Sequence, residues 1–567
     1  MANESCRQKI LSEDYLDFII PDYQEEMDVV LPQSQICVQD LGFGYRAIHI
    51  DANLAGEITI AESGYNGVPS CYALLDEEAM DEAGISAVQN FPTLQLQGNG
   101  IMIGFIDTGI DYRNPVFRNE TGGTRIEAIW DQTIQTGTAP NGFDYGSEYN
   151  QEQINEALKA ETPESFIPTE DTNGHGTFLA SLAAGRANAD AQFQGAAPKA
   201  AVAVVKLKEA KESLKEFYAI KTDAVCYQET DIMQGLLYLH RLAARKNMPL
   251  VLCVALGTNF GGHNSESILS RVLESYARLT DRCVVIAGGN EANERHHFMG
   301  KLEKDVTQEV EIRVEEEGGR GFAAEFWATL PNIVTAYLIS PTGEKSPEIS
   351  VRQGERYTFT FAFDQTKVDI EYRLLLNNNN SFLIFMRFSE PSQGIWRLGV
   401  VPQQIGDGEF HIWVSMKEFL EKNVYFLESD PDVTLTEPGS TRGAITVAYY
   451  DGRENSVDIH SGRGYTRSNL LKPDFAAPGV QVTGALPGGR FRQRSGSSVA
   501  AGITAGASAL VMEWLKEQPT ARTVSTSQVA NIFILGAEQN VFPEYPNRQW
   551  GFGTLDVYQS LDRLRRL

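Results

Sequence analysis

Four short apolar runs, GIMIGFIDTG (100–109), AAVAVVKLK (200–208), PLVLCVALG (249–257) and DRCVVIAGG (281–289), constrain the fold more than any other feature. Each is too short for a globular helix and ends in a polar or glycine turn, so each reads as a strand buried on both faces. Helix-patterned stretches separate them: HGTFLASLAAG (175–185), DIMQGLLYLHRLAARKN (231–247) and ESILSRVLESYARL (266–279). Strand alternating with helix predicts an α/β fold, a parallel sheet with helices on both faces.

The rhythm breaks between about 294 and 438. Strand-like alternation dominates there, in EVEIRVEEE, AAEFWATL, ERYTFTFAF, KVDIEYRLLL, SFLIFMRF, GIWRLGVV and GEFHIWVSM, with PTGEK and NNNNS as turns. This predicts an all-β sandwich inserted into the α/β unit. Its aromatic residues (Phe326, Trp327, Phe359, Phe361, Trp396 and Trp413) read as interior packing rather than sugar-stacking platforms. The α/β texture resumes at GAITVAYYD (443–451). Residues 1–75 read as a small α+β unit, with strands at QICVQDLG and YRAIHIDANL followed by AGEITIAES. GYNGVPSCYALLDEE then reads as an exposed connector.

The chain has 567 residues and a net charge of −27 at pH 7. That charge argues against nucleic acid or an anionic membrane as the main partner. The N-terminus shows no basic start followed by an apolar stretch, so no secretory signal is expected, and no apolar run is long enough to span a membrane. The six cysteines are widely spaced with no CxxC pair. A zinc site is therefore not expected, and the chain is expected to be reduced and made in the cytoplasm.

Ligands of an open parallel sheet bind at the carboxyl ends of its strands. Asp107 stands at such an end, with Asp111 beyond the turn as a weaker candidate. His175 sits between Gly174 and Gly176 at the start of a small-residue helix. Asn290 follows a strand and two glycines. Ser498 opens the helix of SGSSVAAGITAG (495–506). Taken singly, each has an ordinary structural reading as a turn, a cap or close packing. Taken together they are expected to form a reaction centre. A hydroxyl becomes a nucleophile when a base removes its proton. His175 can be that base, and Asp107 can fix the imidazole's tautomer and stabilise its positive charge. Asn290 and the Ser498 backbone N–H can bind the developing oxyanion.

IGFIDTGID, NGHGTFLAS, AGGNE and SGSSVAAGITAG resemble the Asp, His, oxyanion-Asn and Ser motifs of subtilisin-like serine proteases. KPDFAAPG (472–479) resembles the segment before the Ser motif. The resemblance spans about 98–292 and 440–567. Departures are Ser497 where the family usually has Thr, Val499 where Met is common, and Gly502 where Pro is usual. The insert, ALGTNFGGH (255–263) and YPNRQWGFGTLDVY (545–558) resemble the Csp germination proteases of spore-forming bacteria.

This resemblance implies a prodomain over 1–75, a subtilase domain over 76–293 and 439–567, and a jelly roll over 294–438 that rigidifies it. It implies a serine endopeptidase that cuts itself near Leu74, Leu75, Asp76 and Glu77, with the prodomain tail in the cleft. Ala255, Leu256, Gly257, Gly288 and Gly289 are expected to line the substrate groove. The expected substrate is a spore cortex-hydrolase zymogen, and the expected location is spore-associated. Calcium is common in subtilases, but no ligands are assignable here and no cofactor is expected. The alternatives are a general intracellular subtilase with another protein substrate and a non-enzymatic pseudoprotease.

Overall fold

The computed structural model describes residues 4–22, 36–74, 83–90, 95–316, 319–349, 355–376, 380–518, 523–541 and 543–566. All four apolar runs become strands of one nine-stranded sheet. Its order is Ser456–Val457, Ile445–Asp451, Arg282–Ala287, Leu250–Val254, Met102–Asp107, Ala201–Lys206, Ile126–Asp131 and Ser147–Asn150, with Phe475–Pro478 also pairing Ile445–Asp451. Neighbours from Ile445–Asp451 through Ile126–Asp131 are parallel, and the two edge pairings are antiparallel.

The period-2 rule explains why these strands are apolar throughout: alternate residues meet different helix layers. Ile103, Phe105, Val251, Cys253, Cys283 and Val285 face the core that holds the His175–Ala184 and Ser497–Glu517 helices. Met102, Ile106, Leu250, Leu252, Val284 and Ile286 face the core that holds the Glu229–Lys246 and Ile268–Ala277 helices. The Ser497–Glu517 helix is long and apolar enough to cross a membrane, but 89% of its apolar window is buried inside the protein. Its small residues serve close packing. A Cβ on Gly506 would lie 2.5 Å from Ala196 Cβ and 2.6 Å from the Ala183 carbonyl, so a side chain there would push apart the two helices that carry Ser498 and His175.

Between Asn290 and Ile445 the chain builds two further antiparallel sheets. One contains His297–Lys301, Glu409–Val414, Phe322–Thr329, Ser381–Ser389, Lys367–Leu375 and Arg356–Thr360 in spatial order. The other contains Ile333–Ile339, Gly394–Gln404, Gln308–Val314 and Val424–Phe426. Phe322, Phe326, Ile370, Ile384, Phe361 and Trp396 fill the space between them. The alternate residues Trp327, Leu383, Phe385 and Trp413 face outward from the six-stranded sheet and join the main core. Five of the six aromatic residues singled out from sequence are fully buried, and Phe359 packs against the sandwich core.

At the N-terminus, Tyr15–Pro21, Tyr45–Asp51 and Ile36–Gly42 form an antiparallel sheet. AGEITIAES holds a helical turn at Ile60–Ser63, with Ile58 and Ile60 buried in the main core. Two expectations are overturned by the structure. The connector is not exposed, since Tyr65, Val68, Cys71, Tyr72 and Ala73 are buried. The chain is not wholly reduced, because Cys6 and Cys37 form a disulfide with Cα atoms 5.2 Å apart. Their separation of 31 residues carries no local spacing signal, and only folding apposes the helix bearing Cys6 and the strand bearing Cys37. The other four cysteines are buried thiols.

Candidate active site

Asp107 is the last residue of the central Met102–Asp107 strand. His175 is the first residue of its helix, following Gly174 at φ 87°. His175 Nδ1 lies 2.7 Å from Asp107 Oδ1 and 2.9 Å from Oδ2, with both side chains buried. Nδ1 is thus occupied by the carboxylate, which directs Nε2 to the opposite side of the ring. Asp107 Oδ1 also accepts from the Thr108 N–H at 2.7 Å.

The glycine after His175 has a steric reason. A Cβ on Gly176 would lie 2.2 Å from the Gly109 carbonyl, so glycine lets the Asp107 turn close against the helix. Asp171, which sequence reasoning passed over, fixes the same junction. It is buried and accepts from Gly174 N–H (2.8 Å), Thr177 N–H (2.8 Å), Thr177 Oγ1 (2.6 Å) and Thr108 Oγ1 (2.7 Å). Thr108 Oγ1 in turn accepts from the Gly176 N–H at 3.0 Å. One carboxylate therefore satisfies N–H groups at the helix start that would otherwise be buried without partners. An Asp just before a Gly-His-Gly helix start was the available signal. Asp111, the weaker candidate, accepts from Arg113 Nε and the Gly488 N–H, which makes it a bridge to the 482–494 hairpin.

Ser498 lies in the first turn of the Ser497–Glu517 helix, and its hydroxyl is buried with no hydrogen-bond partner among the described residues. Its neighbours tie the helix to the end of the Arg282–Ala287 strand. The Ser497 N–H donates to Asn290 Oδ1 at 3.0 Å, and Ser497 Oγ accepts from the Gly289 N–H at 3.0 Å. The Ser497 hydroxyl thus performs a definite task where the family usually has Thr. A Cβ on Gly502 would meet nothing closer than 3.5 Å, so the usual Pro position is simply loosely filled.

Leu256 and Gly257 pair antiparallel with Leu74 and Ala73, and Cys71 and Tyr72 pair with Gln228 and Tyr227. Residues 71–74 therefore form the middle strand of a three-stranded ribbon, flanked by Tyr227–Gln228 and Leu256–Gly257. Ala255, just before this edge, is buried. Gly288 and Gly289 do not form a comparable edge. The Gly288 N–H donates to Val447 O and its carbonyl accepts from Thr436 N–H, while the Gly289 carbonyl accepts from Gly462 N–H. The expected cleavage region begins at Leu74, and Leu75, Asp76 and Glu77 lie outside the described residues. Among the described residues, no group of three or more His, Cys, Asp or Glu is placed to hold a metal ion.

A parallel sheet that delivers a buried Asp–His pair and a helix-start serine to the ends of its strands defines a hydrolase of the serine-protease class. The chain matches the Subtilase family over residues 98–312 and 424–553, and it belongs to that family as a subtilisin-type serine protease. It is similar to the solved structure of the Clostridium perfringens CspB protease. The two share 29% identity with a TM-score of 0.76, covering 85% of this chain and 97% of that one. No curated protein matches it.

Proposed function

We propose that this protease cuts its own chain behind an N-terminal prodomain of about 75 residues and then activates another protein by limited proteolysis. Ser498 Oγ attacks the scissile carbonyl as His175 Nε2 takes its proton. Asp107 holds the imidazole through Nδ1 and stabilises the imidazolium. The tetrahedral oxyanion is met by the Ser498 backbone N–H and Asn290 Nδ2. One such donor contributes roughly 3–4 kcal/mol to transition-state binding, a magnitude taken from subtilisin rather than derived from this chain. His175 then protonates the leaving amine, and water releases the acyl-enzyme.

The observation that carries this reading is the ribbon at residues 71–74. Proteases bind substrates as added strands, where main-chain pairing gives affinity independent of sequence. Here the chain's own segment pairs as such a strand, between Tyr227–Gln228 and Leu256–Gly257, which supports reading this edge as the substrate groove. The tail of the prodomain is in this sense its first substrate and then its inhibitor, and the scissile bond lies in the Leu74–Glu77 region.

The insert between Asn290 and Ile445 is read as the jelly roll that accompanies Csp germination proteases. This supports a spore-associated enzyme whose target is the zymogen of a cortex hydrolase. The parent chain and its Ser498→Ala variant, with N-termini determined by mass spectrometry, test the first half: a new terminus between 75 and 78 is expected only in the parent. Uncut chain in both overturns it. Incubation of the active form with a cortex-hydrolase zymogen tests the second half, with release of a propeptide as the expected product.

A further inference from the structure

We propose that the inserted β-sandwich is a clamp that helps retain the prodomain after self-cleavage, by gripping residues 57–65 alongside the prodomain's contacts with the protease. This rests on the autoprocessing reading above. The outward face of the six-stranded sheet has two kinds of residue. Trp327, Leu383, Phe385 and Trp413 supply apolar surface, and between them stand charged residues whose partners lie in the N-terminal unit.

Arg356 binds Glu57 through both ends of its guanidinium, at 2.7 and 2.9 Å, and Arg387 approaches the same carboxylate at 3.5 Å. Both arginines are held in place from behind by Asp369, at 3.1 and 2.7 Å, whose side chain is only 3% exposed. Asp369 thus holds both arginines independently of Glu57, which lowers the ordering cost of binding. Glu371 accepts from the Ala61 N–H at 2.5 Å, and Arg373 donates to the Ile60 carbonyl. Glu325, fully buried, accepts from Tyr65 OH at 2.9 and 3.0 Å, while the Tyr65 ring meets Trp327 edge-on at 5.2 Å. Glu325 also accepts from the Gly261 N–H at 2.9 Å, which links the sandwich, the protease and the N-terminal unit at one carboxylate.

The prodomain body also rests on the protease itself: Asp17 is buried against Lys211 at 2.6 Å and accepts from Gln228 Nε2 at 2.7 Å, and Ile19, Leu41 and Ala47 share the core of the Glu229–Lys246 helix. Attachment at several points has a consequence that the cleft alone would not. Cleavage after residue 74 severs the tail from the protease chain, yet the body of the prodomain stays docked on the sandwich. A tail that leaves the cleft then faces it at an effective concentration on the order of millimolar, and returns. Inhibition outlasts the peptide bond. Activation requires breaking the 57–65 contacts together with those of Asp17 to Lys211 and Gln228.

The test uses the full chain with Ser498→Ala and a recognition sequence for a site-specific protease inserted after Glu78. The N-terminal fragment is cut by the added protease and its release is followed by native mass spectrometry and gel filtration. The fragment is expected to remain bound in this parent. It is expected to leave at least tenfold faster with Glu57→Gln and Tyr65→Phe together, and also with Arg356→Gln and Arg387→Gln together, where the fragment itself is unaltered. Release at the parental rate in the sandwich-side variant, or immediate loss of the fragment from the parent, overturns the proposal. Because an added protease makes the cut, failure here is distinct from failure of the chain to cut itself.

Discussion

The Ser497 backbone N–H donates to Asn290 Oδ1 at 3.0 Å, and this bond decides which end of the Asn290 amide is available for chemistry. A backbone N–H accepts nothing, so the carbonyl end of the amide must face the helix and the NH2 end must point away from it. Asn290 is thereby set as a donor by the residue beside Ser498.

Asn290→Ala is expected to lower kcat by about 10²–10³ with little change in KM, because the donor acts on charge that exists only in the transition state. Steady-state kinetics on a peptide substrate check this. A matching rise in KM would mean that the amide binds substrate in its ground state.

Asp107→Asn retains the shape of the Asp107–His175 contact but replaces an acceptor-only group with one that also donates. The imidazole then favours the wrong tautomer, and kcat is expected to fall by about 10⁴. Self-cleavage, measured as the half-time for appearance of the new N-terminus, slows by the same factor.

Asp171→Ala strands the buried donors of Gly174, Thr177 and Thr108 without an acceptor. A loss of roughly 2–4 kcal/mol of stability is expected, together with a fall in kcat as the His175 helix start loosens. Asp171→Asn keeps one acceptor oxygen and should restore part of both. Urea denaturation of each variant, in a Ser498→Ala background that prevents self-digestion, gives the stability term.

Burial pushes the carboxyls of Glu229 and Glu325 up from 4.5 to about 7. Both are protonated in the folded protein at pH values where the unfolded chain has already released their protons. Their contribution is therefore fully present below pH 4.5 and is lost as pH rises through 7, on the order of 3 kcal/mol for each carboxyl. Thermal denaturation of the Ser498→Ala protein between pH 5 and 8 should show stability falling with pH. Glu229→Gln and Glu325→Gln should each flatten that slope, and an unchanged slope in both would refute the assignment.

The main sheet was legible because its strands are apolar on both faces and bounded by turns, a pattern that local sequence records directly. Asp107, His175, Asn290 and Ser498 stood out as candidates because each sits at a strand end or helix start in a distinctive small-residue setting. Asp171 was passed over because its four hydrogen bonds converge from separate parts of the loop, helix and strand end. The GYNGVPSCYAL segment was misread for a related reason. Its turn-rich composition describes an exposed connector, but Tyr227–Gln228 and Leu256–Gly257, more than 150 residues away, pair with it on both sides.

Sequence by itself determined which apolar runs become the strands of the main sheet and which side chains are candidates for proton-transfer chemistry, since periodicity and functional-group type are local properties. Tertiary structure alone decided what those segments are buried against. The Cys6–Cys37 bond, the seating of residues 71–74 between two distant strands, and the grip of Arg356, Arg387 and Glu325 on residues 57–65 each join parts of the chain whose meeting depends on the packing of whole layers. An alternating strand specifies that it has two faces, but it does not specify what lies beyond each.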